Sequence, residues 1–277
     1  MPLSPRSLWA RTTFTSVSKT SSTNGAGRRG MEVPRRGRLF KLFLPLMRYI
    51  VVNVMVAIFV TLFRVLNRTT VIGRSNVGYD HNILLLSNHQ TMIDSFLVGS
   101  MCFYPQSWWK PYLIPWNPAA VENYYKDAFL AWFADVHKCI PIREGRRDLG
   151  ALRSMIKVLP KGVMTLFPEG TRMRGSKVGQ GRVGAGMVIL SARPKVIPVA
   201  IDGMEEVLPV GSIFPRFFKH IYVSYGSPFD YSEFLNKPRG KETFQELVDK
   251  VMKKIRQQHQ ELRRLRGLLV PTYGADE

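Results

Sequence analysis

From Leu39 to Leu66 the chain is apolar almost throughout, and beyond Ile72 short apolar runs alternate with stretches of helical spacing. The first stretch, LFKLFLPLMRYIVVNVMVAIFVTLFRVL, holds Pro45 and Arg48 inside it. Its uninterrupted part, Tyr49 to Phe63, is 15 residues. As a helix that part reaches roughly 22 Å at about 1.5 Å per residue, short of a hydrocarbon core of about 30 Å. Adding Leu39–Met47 makes it long enough, provided Arg48 is buried or snorkels. Arg35, Arg36, Arg38 and Lys41 lie before the uninterrupted part, and Arg64, Arg68 and Arg74 lie after it. Basic residues on both flanks suit a segment that dips into one leaflet and returns to anionic headgroups. The expectation is a monotopic anchor, a helical hairpin bent near Pro45, in preference to a span. A buried soluble helix would leave the basic flanks unexplained.

The remaining pattern predicts α/β structure. HNILLLSNH is a strand running into a helix that begins near Asp94. AAVENYYKDAFLAWFADVHKCIPIREG is a helix and then a short strand ending at Ile142. In DLGALRSMIKVLPKG, Leu149, Leu152, Met155, Ile156 and Leu159 share one helical face, and Gly162 falls just past the end. VMTLFPEGTR is a buried strand leading to a loop, and KVIPVAIDG and HIYVSYGSPF are two more strands. Thr243 with Glu246 has capping-box spacing. Phe244, Leu247, Val248, Val251, Met252 and Ile255 then make the apolar stripe of a helix with a basic outer face. The fold class is therefore α/β: a mixed central sheet flanked by helices, preceded by an N-terminal membrane-associated helical segment. The divisions are a basic tail or targeting segment over 1–38, the anchor over 39–68, the α/β domain over 69–266 and a frayed tail over 267–277.

Charge changes the picture. The 277 residues carry a net +20. Before Asp80 the only acid is Glu32, against thirteen Lys and Arg. Such an excess draws a chain toward polyanions: nucleic acid, anionic lipid or phosphorylated substrates. A nucleic-acid role lacks a recognition helix or an aromatic–basic ladder. Residues 1–30 have the Ser, Thr and Arg content of an organelle-targeting segment, of a disordered tail, or of sequence upstream of a start at Met31. Cys102 and Cys139 lack zinc-type spacing and read as small core residues in a reducing compartment.

Three strand ends carry chemistry. In LLLSNHQTMIDSF, His89 and Asp94 lie five positions apart, about 140° around an ideal helix. They meet only if His89 sits at the strand-to-helix junction and folds back over the first turn. A carboxylate on one imidazole nitrogen orients the ring and makes the other nitrogen more basic, as a general base requires. In TLFPEGTR, Glu169 and Arg172 end another strand, and the arginine fork matches phosphate oxygens. In CIPIREGRRD, Arg143 follows a strand directly, with Arg146 and Arg147 close behind. Strand ends of open α/β sheets converge on one crevice. A base and several arginines there suit deprotonation of a hydroxyl beside a bound phosphate.

NHQTMID, followed about eighty residues later by FPEGTR, resembles the first and third motifs of the glycerolipid acyltransferase family, of the 1-acylglycerol-3-phosphate (lysophosphatidate) acyltransferase type. IPIRE and VIPVAIDG stand in the places of the second and fourth motifs, and the resemblance runs from about Ile72 to Tyr225. It implies that His89 is a general base and Asp94 its orienting partner. It also implies that Glu169 and Arg172, in a loop shaped by Gly170 and Thr171, hold the glycerol phosphate, and that Arg143 contacts the same phosphate. Three features depart from the family pattern. Thr91 stands where many members have serine, IREG replaces a hydrophobic–Asp–Arg pattern, and GSKVGQGRVGAGMVILSARPKV is unusually rich in glycine. Without a Walker or Rossmann pattern those glycines read as turns.

The implied activity is O-acyl transfer from a thioester donor to the free hydroxyl of a lysophospholipid, foremost lysophosphatidate to phosphatidate. The alternatives are another lysophospholipid or glycerol 3-phosphate as acceptor, or a non-catalytic basic membrane-binding relative. No cofactor and no metal are implied; acyl-CoA or acyl-carrier protein serves as co-substrate. The partners are an anionic phospholipid membrane, the lysophospholipid acceptor and the acyl donor, with no nucleic acid. The expected place is the cytosolic face of the cell membrane, held peripherally or monotopically, with organelle targeting by residues 1–30 as the alternative.

Overall fold

The structure, a computed structural model, describes residues 36–143, 148–174, 177–209 and 211–270. Most of the N-terminal tail, Arg146, Arg147 and the last residues of the C-terminal tail lie outside these.

The chain opens with α1 (Arg38–Thr61), which continues through a wider turn at Leu62–Leu66 into β1 (Arg68–Ile72). Then come β2 (Ile83–Ser87), α2 (Asp94–Phe103), β3 (Asn117–Ala120), α3 (Val121–Tyr124), α4 (Ala128–Val136) and β4 (Cys139–Ile142). The second half holds α5 (Leu149–Val158), β5 (Val163–Leu166), α6 (Gly184–Ala192), β6 (Lys195–Asp202), α7 (Met204–Val207), β7 (His220–Tyr225) and α8 (Lys241–Leu265). Five strands form the central sheet in the order β1-β7-β6-β2-β5. All neighbours are parallel except β6 and β7, so the sheet is mixed. β3 and β4 form a parallel two-stranded sheet, tied to β5 by a parallel bridge from Trp116 to Met164.

The run Ile83–Leu86 is apolar without alternation because both faces of the sheet are covered. Ile83 and Leu85 pack with Leu97, Met101 and Phe103 of α2, while Leu84 and Leu86 pack with residues of α5, α6 and α8. The apolar stripe expected in the C-terminal helix lies in this second layer: Leu247, Val248, Val251, Met252 and Ile255 are buried there.

Several expectations need correction. α1 runs through Pro45 as one helix, with no hairpin. Proline removes a single bond to the carbonyl of Lys41, and α1 is held from both sides of that gap by contacts with the domain. Leu44, Val51, Val52 and Val56 pack with Ile114 and Val136, and Phe59 stacks on Phe96 of α2 at 4.2 Å. Arg48 is drawn inward, donating from Nη2 to the Asp135 carbonyl at 2.8 Å. Burial lowers its pKa, against the opposing pull of Asp135. The helix expected before β4 is interrupted: Asn117–Ala120 is strand, and α4 starts anew where Asp127 caps the Leu130 N–H at 2.8 Å. α8 begins at Lys241, ahead of the supposed capping box. Thr243 Oγ1 donates to the Pro238 carbonyl and Glu246 pairs with Lys237 instead. Two of the glycines after FPEGTR, Gly181 and Gly186, serve close packing. A Cβ at Gly186 would stand 2.3 Å from the Phe244 carbonyl, and one at Gly181 2.3 Å from Val248, so these glycines let α8 seat on the loop and on α6.

Candidate active site

The site begins where β2 stops. Asn88 extends the ladder with its side chain: Nδ2 donates to the Ile201 carbonyl at 3.0 Å and Oδ1 accepts the Ile201 N–H at 2.8 Å. An amide can mimic a peptide unit in this way, so β2 stays joined to β6 while the main chain turns off the sheet. His89 emerges at that turn. Gln90 and Thr91 then curl over the first turn of α2, whose first residue is Asp94.

Asp94 is fully buried and gathers four donors. Oδ2 accepts the N–H of Gln90 at 2.6 Å, the N–H of Thr91 at 2.7 Å and His89 Nδ1 at 2.9 Å. Oδ1 accepts the Thr91 hydroxyl at 2.5 Å. Thr91 thus supplies a hydroxyl donor as serine would. A carboxylate so placed only accepts, so the proton of a neutral His89 ring sits on Nδ1 and the Nε2 lone pair is free. Nε2 has no hydrogen-bond partner among the described residues. The ring is partly exposed and lies flat on Phe167, with centroids 4.1 Å apart and planes at 16°.

β5 brings the FPEGTR motif alongside. The parallel pairing matches Ile83 with Val163 and Leu86 with Leu166, an offset of eighty. The same offset carried beyond the strands sets His89 beside Glu169. The bond is made: the His89 N–H donates to Glu169 Oε2 at 2.9 Å, and the Gly179 N–H donates to Oε1 at 2.8 Å. Glu169 is 3% exposed. Burial pushes its pKa up to about 7 against the pull of these two N–H bonds, with the Asp94 charge adding to the rise and Arg256 opposing it. Glu169 therefore faces backbone, not an open pocket, and as an anion it would repel a phosphate. Its two oxygens pin the two motif loops together.

The cations of the same loop do face outward. Thr171 and Arg172 are exposed, as is Arg182. Gly170 has φ +66°, and its open α-carbon side lies against the Arg182 side chain, 2.9 Å from Nε to where a Cβ would stand. Any side chain there would displace that arginine. The Arg182 N–H closes the loop on the Pro168 carbonyl at 2.8 Å, and the Met173 N–H closes it on the His89 carbonyl at 2.8 Å. Arg143 follows β4, which pairs with β3 and stands outside the central sheet. It is exposed, and its N–H donates to Asp148 at 3.2 Å. His89, Asp94 and the 169–172 loop are thus brought together, while Arg143 exits a neighbouring ribbon that runs in the same direction.

Four participants were not singled out from the sequence. Phe167 was visible as the first letter of FPEGTR. Gly179 and Arg182 lay in the glycine-rich stretch, but the contacts they make are not spelled by it. Arg256, on α8, gave no local signal: its guanidinium donates to the Gly179 carbonyl at 3.1 Å and to the Val178 carbonyl at 3.5 Å, the latter on the peptide whose N–H pins Glu169.

A His–Asp pair with a buried carboxylate thus stands at the carboxyl edge of a mixed α/β sheet, near a loop of exposed arginines. Residues 68–202, just under half of the chain, match the family model described as Acyltransferase. The chain is 25% identical over 138 residues to a chloroplastic 1-acyl-sn-glycerol-3-phosphate acyltransferase of Arabidopsis thaliana, covering 48% of this chain and 35% of that protein. A chloroplastic protein of the same description from Brassica napus is 22% identical over 149 residues, covering 52% and 40%. The aligned region thus spans well under half of these curated relatives. The fold is similar to that of the 1-acyl-sn-glycerophosphate acyltransferase PlsC of Thermotoga maritima, with a TM-score of 0.51, 21% identity, and coverage of 78% of this chain and 96% of that one.

Proposed function

We propose that this protein transfers a fatty acyl group from a thioester donor to the free hydroxyl of a lysophospholipid, with lysophosphatidate as the favoured acceptor and phosphatidate as the product. The observation that carries this reading is the His89–Asp94 bond of 2.9 Å, which leaves Nε2 as the free base at the sheet edge. In the proposed step Nε2 takes the hydroxyl proton as the acceptor oxygen attacks the thioester carbonyl. The tetrahedral intermediate collapses, the carbon–sulfur bond breaks, and the thiolate takes the proton back from the imidazolium. Ester and free thiol leave, and His89 is neutral again. Asp94 holds the ring and offsets the transient imidazolium charge. Arg172 and Arg182 grip the acceptor phosphate, Thr171 and Gly170 shape their loop, and Glu169 braces it from beneath. Arg143 reaches the same anion from β4. Acyl-CoA and acyl-carrier protein are both chemically suited as donors.

α1 is proposed to seat the enzyme in one leaflet. Arg38–Leu66 has the length and hydropathy to cross a bilayer. Yet its inner face packs along the α/β domain from Leu44 to Phe59. Leu39, Leu42, Phe43, Leu46, Ile50, Val54 and Ile58 form the outer stripe, each between 51% and 73% exposed. One apolar face outward and one on the protein suits a helix lying in the interface.

The test is acyl transfer by the purified full chain, offered lysophosphatidate, lysophosphatidylcholine, lysophosphatidylethanolamine and glycerol 3-phosphate with each donor type. The expected result is phosphatidate formation with a preference of about 10-fold or more for lysophosphatidate. Transfer to none of the acceptors with either donor would overturn the reading.

A further inference from the structure

We infer that the loop between α7 and β7 is a second bilayer contact, inserting its aromatic tip into an anionic membrane beside the end of α1. Ile213, Phe214 and Phe218 are 85%, 81% and 90% exposed. Large apolar side chains grouped so far into solvent are costly for a surface that stays wet. The loop has not simply failed to pack, because its backbone is fixed to the domain. The Phe218 N–H donates to the Leu66 carbonyl at 2.8 Å, the Lys219 N–H to Asn67 Oδ1 at 2.8 Å, and the Arg216 N–H to the Val207 carbonyl at 2.7 Å. Phe218 adopts φ +59°, a conformation uncommon for an aromatic residue, which persists only where its surroundings impose it. The clamp holds the rings outward.

Two observations identify the occupant as a lipid surface. The first is continuity: the clamp joins the loop to Leu66, and the neighbouring Val65 is 73% exposed, so the outer stripe of α1 runs on into the loop. The second is charge: Arg64, Arg68 and Arg216 are all exposed around this tip. Apolar side chains with a basic collar match acyl chains beneath anionic headgroups. The placement also serves the chemistry. The loop grows from α7, whose Met204 N–H donates to Gln90 Oε1 at 3.1 Å, one residue from His89. A contact here would open the site toward the leaflet that holds its acceptor.

The inference rests on the reading of α1 as a helix seated in the bilayer, and vesicle binding separates the two. The full chain is sedimented with vesicles of phosphatidylcholine alone and of phosphatidylcholine with phosphatidylglycerol. Wild type should bind, more strongly with the anionic lipid; no binding to either would overturn both readings. Given wild-type binding, the double variant Phe214→Ser/Phe218→Ser should partition about 10-fold or more weakly, from lost apolar burial. Arg216→Glu should weaken binding to the anionic vesicles only. These side chains are exposed, so circular dichroism should be unchanged. Wild-type partitioning by the double variant would overturn the loop assignment while leaving α1 in place. So would unchanged partitioning with a shift from dimer to monomer, which would assign the tip to a second copy of the chain.

Discussion

With donors converging on it from Gln90, Thr91 and His89, the Asp94 carboxylate fixes the loop and the imidazole tautomer together. Asparagine at this position keeps the size but offers one accepting oxygen, and its NH2 would face other donors. Asp94→Asn should therefore lower kcat by about 10³- to 10⁴-fold. Leaving a buried donor unmet should cost about 1–3 kcal/mol of stability. Steady-state kinetics with a urea melt checks both, and a kcat within a few-fold of wild type would remove the orienting role. The interval of five between His89 and Asp94 was legible as a constraint: the two could meet only at a strand-to-helix junction, and they do. The place of Glu169 was not legible. A sequence names a carboxylate without naming its hydrogen bonds, and this one spends both oxygens on the backbone N–H groups of His89 and Gly179.

Between elements, the site depends on register and on α8. The offset of eighty that pairs β2 with β5 also aligns the two motifs, so the sheet sets the active-site geometry before any side chain acts. The apolar periodicity of β2 and of α8 was readable because burial on a sheet face or a helix stripe repeats in sequence. Strand β3 was not, since Asn117–Ala120 lacks a β-former run and owes its strand to pairing with β4. Nor was the clamp between β6 and α8 readable. There Asp202 faces Arg266, which donates to Oδ2 at 2.6 Å, with Arg263 at 3.6 Å and His259 Nε2 at 3.4 Å from Oδ1. Glu206 also pairs with Arg266. Burial works to raise the Asp202 pKa, but His259 and Arg266 prevail and bring it from 3.8 to about 2. The folded chain thus holds fewer protons than the unfolded chain between those values. The contribution is complete above about pH 5 and is lost as the pH falls through about 2, on the order of 2 kcal/mol. In Asp202→Asn that part of the acid limb should vanish while stability at pH 7 falls. An unchanged acid limb, read from urea midpoints at stepped pH, would contradict the clamp.

Over the whole molecule, charge and apolar exposure point to one partner. The net +20 was plain in the composition, as was the apolar N-terminal stretch. What the composition could not say is that α1 would pass straight through Pro45 and lie along the domain, because the contacts that hold it come from α2, α4 and the segment before β3, far away in sequence. The same holds for the aromatic loop after α7, whose exposure reflects a clamp to the end of α1. On the proposed reading, an enzyme built this way would meet its acceptor at the bilayer and perform its chemistry at a sheet edge close by. The most direct measurement is phosphatidate formed from lysophosphatidate and a thioester donor by His89→Ala, alongside its vesicle binding and circular dichroism. Loss of about 10³-fold or more in turnover, with folding and vesicle binding intact, is the predicted result. Turnover within about 10-fold of wild type would contradict the central claim that His89 is the base.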